Sequence, residues 1–226
     1  RHCIYYAAFL HRREATLGGE KREEARREIG EEIENIRAGW AWAIAQGKIA
    51  EINRMLEPLF LFYEMRSRFR EGEELFRRAA DRLREIYHTD SVRETLGRLL
   101  VRQGILTYYL GRYRRAQELL EEGLAIAREV GNRQEMALAL NNLGIIAGLQ
   151  GNYEEEKRLF RRSLSLYQTL GDQRRMAVLL NNLGIVERIQ GAYGEARQLS
   201  QESLTICRAI GYRRGIARAL QNLALV

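Results

Sequence analysis

The sequence repeats itself every 40 residues over its second half, and this period restricts the fold more than any other feature. Glycine, tyrosine and leucine return in three successive copies. The recurring columns are Gly104, Gly144 and Gly184; Gly111, Gly151 and Gly191; Tyr113, Tyr153 and Tyr193; Leu124, Leu164 and Leu204; and Gly131, Gly171 and Gly211. A fixed period of this length is typical of proteins built from stacked structural units.

Each copy of the repeat is expected to contain two amphipathic helices. In one copy the apolar residues at helical spacing are Leu138, Leu140, Leu143, Ile146 and Leu149, then Leu159, Phe160, Leu164, Leu166 and Leu170. Glycines follow the helix ends, where a left-handed backbone requires no Cβ. The expected N-caps are Asn132, Asn152 and Asp172. Gly144 instead lies inside a helix, which predicts the close approach of a neighbouring helix, with Tyr153 filling the space beside it.

The predicted fold class is all-α: a right-handed α-solenoid of antiparallel helix pairs. A single proline, Pro58, argues against an all-β fold with many turns. Two antiparallel helices cannot bury their apolar faces alone, so successive pairs must stack. The regular array is expected over residues 91–226, with units at about 91–130, 131–170 and 171–210 and a truncated unit at 211–226.

These residues resemble the tetratricopeptide repeat (TPR), in its long form. The resemblance rests on Leu143-Gly144, Tyr153, Phe160, Ser163 before Leu164, and the small residues Ala116 and Ala196. Glu156 departs from it, since a small residue is usual at that position. The resemblance implies a non-enzymatic arm that binds a protein or peptide in a concave groove lined by the first helix of each pair.

The first 90 residues are expected to form a divergent helical region, with a degenerate helix pair at about 49–87 and one long helix over 21–46. Two blocks, residues 1–10 and 34–43, resemble the helical stretch that precedes the TPR arm of bacterial STAND-type (NB-ARC-like) signalling ATPases and regulators. That resemblance implies that the chain is part of a larger cytoplasmic signalling regulator, in which this arm is the sensor or interaction module. This sequence itself has no Gly-Lys-Ser/Thr phosphate-binding pattern.

The TPR resemblance also selects the side chains that should face the groove. The candidate partner-binding residues are Arg98, Arg102, Ile105, Tyr108, Asn141, Ile145, Asn181, Ile185, Arg188 and Gln221. Asparagine amides can hold an extended peptide backbone through paired donor and acceptor groups. No catalytic residues, metal ligands or cofactors are expected, because the three histidines and two cysteines lack the spacing of a zinc site and no base has an orienting partner.

Two alternative functions remain open. The formal charge of +7 rests almost entirely on arginine, so the chain could be an arginine-rich nucleic-acid-binding scaffold, although the arginines are interleaved with glutamates as on a solvated helix face. The groove could instead sense a small molecule. Beside any of these functions, the uncapped C-terminal helix, with Leu220, Leu223 and Leu225, could support end-to-end self-association. No apolar run is long enough to span a membrane, and the two distant cysteines favour a reducing cytoplasm.

Overall fold

The computed structural model describes residues 2–17, 22–86 and 89–226, and in these ranges every regular element is an α-helix. The helices are α1 His2–Leu17, α2 Arg22–Glu31, α3 Ile33–Ala45, α4 Ile49–Met65, α5 Phe69–Glu85, α6 Asp90–Tyr109, α7 Tyr113–Glu129, α8 Arg133–Leu149, α9 Tyr153–Leu170, α10 Gln173–Ile189, α11 Tyr193–Ala209 and α12 Arg213–Ala224. They form two compact units, Arg1–Val130 and Gly131–Val226. The division expected between residues 90 and 91 stays a prediction.

The first unit contains α1 to α7. Helix α1 packs on α3 and α4, while α6 packs between α5 and α7. The prediction of one long helix over 21–46 is wrong, because the helix is interrupted at Glu32, between α2 and α3. The carboxylate of Glu32 accepts a hydrogen bond of 2.7 Å from the hydroxyl of Tyr6 on α1, which holds the break against that helix. Helix α4, in contrast, continues through Pro58.

The second unit contains α8 to α12, each packed on the next. A core of buried side chains joins α8, α9 and α10, and its members are Ala137, Phe160, Tyr167, Leu179, Leu183 and Val186. The hydroxyl of Ser163 donates to the carbonyl of Ala137, and that of Ser203 donates to the carbonyl of Ala177, both at 2.7 Å. The same bond therefore recurs one repeat later, and it gives the small hydroxyl residue before Leu164 and Leu204 a structural role.

The interior glycine of each repeat permits close packing, but its neighbour differs from the expected one. A Cβ built on Gly144 would lie 2.7 Å from two ring carbons of Phe160, so the prediction that Tyr153 fills this space is wrong. Tyr153 lies half-buried at the edge of the core. Helix α9 ends at Gly171, whose φ of 69° is left-handed as predicted.

The N-caps expected in the second unit are confirmed. Side-chain oxygens of Asn132, Asn152 and Asp172 accept hydrogen bonds of 3.1, 3.3 and 3.0 Å from backbone N–H groups three residues further on. Each bond satisfies one of the donors that a helix start leaves without an intrahelical partner. These caps fix where α8, α9 and α10 begin, and so place the side chains that those helices present.

Candidate functional site

In the first unit, the candidate residues lie on α6, where it packs against α4. The guanidinium of Arg102 is only 3% exposed and forms an ion pair of 2.6 Å with Glu57 on α4. Arg98 donates a hydrogen bond of 2.7 Å to Asn53 on the same helix. This ion pair ties α6 to α4. Removal of either partner would leave the other charge buried without compensation. Ile105 is also buried, at 4% exposure.

Tyr108, the last candidate on α6, belongs to a cluster of aromatic rings at the end of that helix. Its ring centre lies 5.2 Å from that of Tyr109 and 5.8 Å from that of Tyr113. The ring of Tyr109 in turn stacks on Phe69 at 4.6 Å. Partial burial raises the pKa of Tyr108 above its ordinary value. Tyr109 and Tyr113 are exposed, so this end of α6 offers aromatic surface that a contact could use.

In the second unit, the two candidate asparagines occupy equivalent positions but have different surroundings. Asn181 on α10 is 5% exposed, and its side-chain oxygen accepts a hydrogen bond of 2.8 Å from the amide of Asn222 on α12. Asn141 on α8 is half-buried, and its side-chain oxygen is enclosed without a hydrogen-bond partner among the described residues. A buried acceptor without a partner costs about 1–3 kcal/mol, so Asn141 can gain from a ligand that donates to it.

Asn141 lies in a recess of about 350 Å³ between α8, the end of α9 and the start of α10. The residues that line it are Asn141, Tyr167, Asp172, Arg174, Arg175, Val178 and Leu179. The guanidinium of Arg175 lies 3.6 Å from the carboxylate of Asp172 and 5.5 Å from the ring centre of Tyr167. With two arginines against one carboxylate, the recess has an excess of positive charge.

Sequence reasoning did not find Tyr167, Arg174 or Arg175 as neighbours of Asn141. They lie outside the groove positions that the TPR resemblance selects. The N-cap at Asp172 is the one signal that could have located them, because it starts α10 beside the end of α9 and so sets the two following arginines at the recess.

The remaining candidates of the second unit are Ile145, Ile185, Arg188 and Gln221. The two isoleucines and Arg188 are half-buried, and Gln221 is exposed. The Nε atom of Arg188 is enclosed without a hydrogen-bond partner among the described residues. The structure therefore gives α8 and α10 a partly exposed apolar residue each, beside polar groups whose hydrogen bonding is incomplete.

Two carboxylates interrupt the apolar packing of the second unit away from these residues. Glu156 on α9 lies against Gly148 on α8, and burial raises its pKa to about 7. Glu187 on α10 is 3% exposed and lies 3.7 Å from Lys157 and 3.4 Å from Arg161. Glu187 is therefore compensated by two cations, whereas Glu156 is poised to be protonated near neutral pH.

The described residues offer little for metal binding or nucleophilic chemistry. Those residues contain no group of three or more His, Cys, Asp or Glu side chains able to hold a metal ion. Cys3 and Cys207 are buried as free thiols, and burial raises the pKa of both, which disfavours the reactive thiolate. Across the same residues, no helix combines the length and apolar character needed to cross a membrane.

Comparisons with known proteins identify the class to which this arrangement belongs. A family model described as tetratricopeptide repeat matches residues 95–169 and 175–226. No curated protein matches the sequence. Among the solved structures that share the fold, the following three are less than 25% identical to this chain, so they inform on the fold alone.

The first is BtubC (BKLC) from P. vanneervenii, with a TM-score of 0.65 and 23% identity, covering 96% of this chain and 82% of that one. The second is aspartyl phosphate phosphatase F from Bacillus subtilis, with a TM-score of 0.64 and 11% identity, covering 89% of this chain and 59% of that one. The third is a Signal Transduction ATPase with Numerous Domains (STAND) protein with a tetratricopeptide repeat sensor from Pyrococcus horikoshii, with a TM-score of 0.58 and 16% identity, covering 87% of this chain and 33% of that one.

The chain belongs to the tetratricopeptide repeat family. The predicted fold class, an all-α solenoid of antiparallel helix pairs, is thereby confirmed. Such repeats are typically scaffolds for protein interaction and are generally not catalytic.

Proposed function

We propose that this chain is a non-enzymatic arm that binds a protein or peptide segment along the first helices of its repeats. The observation that carries the proposal is the side-chain oxygen of Asn141, which is enclosed without a donor among the described residues, on a side chain that lines the recess between α8, α9 and α10. A backbone N–H of a bound peptide would supply the missing hydrogen bond. Partly exposed Ile145 and Ile185 would contact its apolar side chains.

The charge of the recess favours a segment that carries an acidic group. Arg174 and Arg175 flank Asn141 with only Asp172 as a carboxylate. Arginine pairs well with a carboxylate because its planar guanidinium can donate two parallel hydrogen bonds. An acidic side chain next to an apolar one is therefore the sequence feature that we expect in the partner.

A peptide-display selection on the 226-residue chain tests this function. Recovered peptides should lose about tenfold or more in affinity with Asn141→Ala, as expected for one buried hydrogen bond with a charged neighbour. Gln168→Ala, at an exposed position of α9 outside the recess, is the matched control and should leave affinity unchanged. Failure to enrich any peptide, or equal losses with both variants, would contradict the proposal.

Asn181→Ala is a poorer test, although Asn181 is an equally strong candidate from the sequence. Its side chain already bonds Asn222 inside the unit, so the substitution would remove an internal contact as well as a contact to a partner. The same difficulty applies to Arg102, which pairs with Glu57. A loss of binding with either variant would not distinguish recognition from packing.

The nucleic-acid alternative has weaker support from the same structure. Arg77, Arg78 and Arg158, on two different helices, bond neighbouring glutamates at 2.6–2.9 Å. Such pairing reduces the positive field that a phosphate backbone would meet.

The larger context stays a prediction. The STAND neighbour supports a place for this arm in a cytoplasmic signalling regulator, through the fold alone. Exposed Leu220 on α12 and exposed Leu225, which follows that helix, are consistent with the predicted self-association.

A further inference from the structure

A groove runs between α3 and α5 in the first unit, on helices that carry none of the candidate partner-binding residues. The two helices lie side by side in the same direction. Arg37 near the start of α3 pairs with Glu71 near the start of α5, and a Cβ built on Gly47 after α3 would lie 3.3 Å from Ile86 after α5. Between these ends, the ring centres of Trp40 and Phe76 lie 5.9 Å apart.

The groove exists because small side chains face each other where larger ones would interlock. Ala41 and Ala45 on α3 and Ala79 on α5 leave a space of about 590 Å³. Trp40, Ile44 and Leu75 complete the apolar part of its lining. Protein interiors are normally filled to crystal-like density, and a mostly apolar cavity of this size lies within the range of small-molecule sites.

The charges around the groove differ between its two ends. At the start of the helices, Arg37 is compensated by Glu34 and Glu71. Further along, Arg78 and Arg82 reach the groove from α5, where the lining carboxylate is Glu74, which pairs with Arg78 at 2.6 Å. The lining as a whole has three arginines against two glutamates, so the groove keeps an excess of one positive charge.

Both of these arginines retain donors for a ligand. Arg78 uses its Nε atom on Glu74, and Arg82 uses one Nη atom on Glu85. Since a guanidinium has five N–H donors, each keeps several.

We propose that the α3–α5 groove binds a small apolar molecule with one anionic group, of the class of a medium-chain carboxylate. The apolar part lies on Trp40, Ile44 and Leu75, and the anionic group is held by Arg78 and Arg82. This site is separate from the partner-binding residues on α6, α8, α10 and α12, so its occupancy is independent of the proposed function.

The fluorescence emission of Trp40 can report binding at this site. The chain contains two tryptophans; Trp40 lines the groove, whereas Trp42 is 46% exposed and does not. In a Trp42→Phe background, the emission of Trp40 should change saturably on titration with carboxylates from hexanoate to dodecanoate, kept below their micelle concentrations. Octanol, a neutral probe, should bind about two- to fivefold more weakly than octanoate, the range expected for an exposed ion pair.

Substitutions at exposed positions separate this site from a general surface effect. Ala41→Leu and Ala45→Leu place bulk in the groove from exposed positions of α3, so they should abolish octanoate binding without lowering the melting temperature. Ala38→Leu, on the same helix and also exposed but outside the groove, is the matched control and should bind as the parent does. Arg82→Gln should weaken octanoate about two- to fivefold and leave octanol unchanged.

Several outcomes would overturn the proposal. These are the absence of a saturable change with every carboxylate, equal binding of octanoate and octanol, or an affinity that Ala41→Leu leaves intact. A groove that holds a second copy of the chain would show itself differently. Sedimentation would then detect a dimer that Ala41→Leu dissociates, and octanoate binding would be absent.

Discussion

Replacement of Gly144 by alanine tests the packing of the repeat core. The structure predicts the sign of the resulting change in the free energy of unfolding. Alanine favours the helix by about 1 kcal/mol over glycine. Its Cβ, however, would lie 2.7 Å from two ring carbons of Phe160, closer than such contacts allow. Because that ring is 1% exposed within the core, it has little room to move, and overpacking of this kind costs about 1–3 kcal/mol. We expect Gly144→Ala to lower the free energy of unfolding by about 1 kcal/mol.

The same chemical change at Gly194 is the matched control. Gly194 lies in the first turn of α11 and is exposed, and a Cβ built there would meet nothing within 4 Å. Gly194→Ala should therefore raise the free energy of unfolding by about 0.5–1 kcal/mol. The two variants should move in opposite directions although each adds one methyl group to a helix.

Urea denaturation followed by far-UV circular dichroism measures both changes. Because repeat arrays do not always unfold in one step, hydrogen exchange of the α8 amides should accompany it. Phe160→Leu in the Gly144→Ala background should recover part of the loss, with a coupling energy of about 1 kcal/mol. If Gly144→Ala stabilises the chain as much as Gly194→Ala does, Phe160 does not fill the space and the packing described here is wrong.

Three further predictions concern polar groups of the second unit. Ser163→Ala should lower the free energy of unfolding by about 1 kcal/mol because the bond to Ala137 is lost; exposed Ser165→Ala should not, and urea titration compares them. Glu156 has a folded-state pKa near 7, above its ordinary value, so the free energy of unfolding should fall as pH rises from about 4.5 to 7; Glu156→Gln should flatten this segment of the pH–stability curve. Asn181→Ala should cost about 1–3 kcal/mol in thermal unfolding, since it takes the acceptor from the buried Asn222 amide.

Features set by local chemistry could be predicted from the sequence. The N-caps at Asn132 and Asp172 follow from the preference of short polar side chains for helix starts, and the left-handed Gly171 follows from the lack of a Cβ. The recurrence of helix pairs could likewise be predicted from the apolar residues that return every 40 positions. The interruption at Glu32 could not, and its side chain there contacts Tyr6 of α1, a residue distant in the sequence.

The contacts between particular side chains could not be predicted from the sequence. The repeat shows that the position of Gly144 needs a glycine, but not that Phe160 rather than Tyr153 approaches it. The groove between α3 and α5 was equally invisible, because Ala41 and Ala79 look like ordinary helix formers until their helices are placed side by side. Periodicity identifies positions that pack, and the tertiary structure decides what they pack against.

The residues that line the recess at Asn141 recur to different extents along the repeats. The column of Asn141 carries an amide at three successive positions, Asn141, Asn181 and Gln221, whereas Val101 occupies it in the first copy. The column of Arg175 varies, since Glu135 and Gly215 occupy its equivalents. Asn141 therefore lies beside two arginines, of which Arg174 has an equivalent one repeat later, Arg214, and Arg175 does not. If the unit binds an extended segment, the amide of Asn141 would hold its backbone, and the arginines of α10 would fix the register by selecting where an acidic side chain lies.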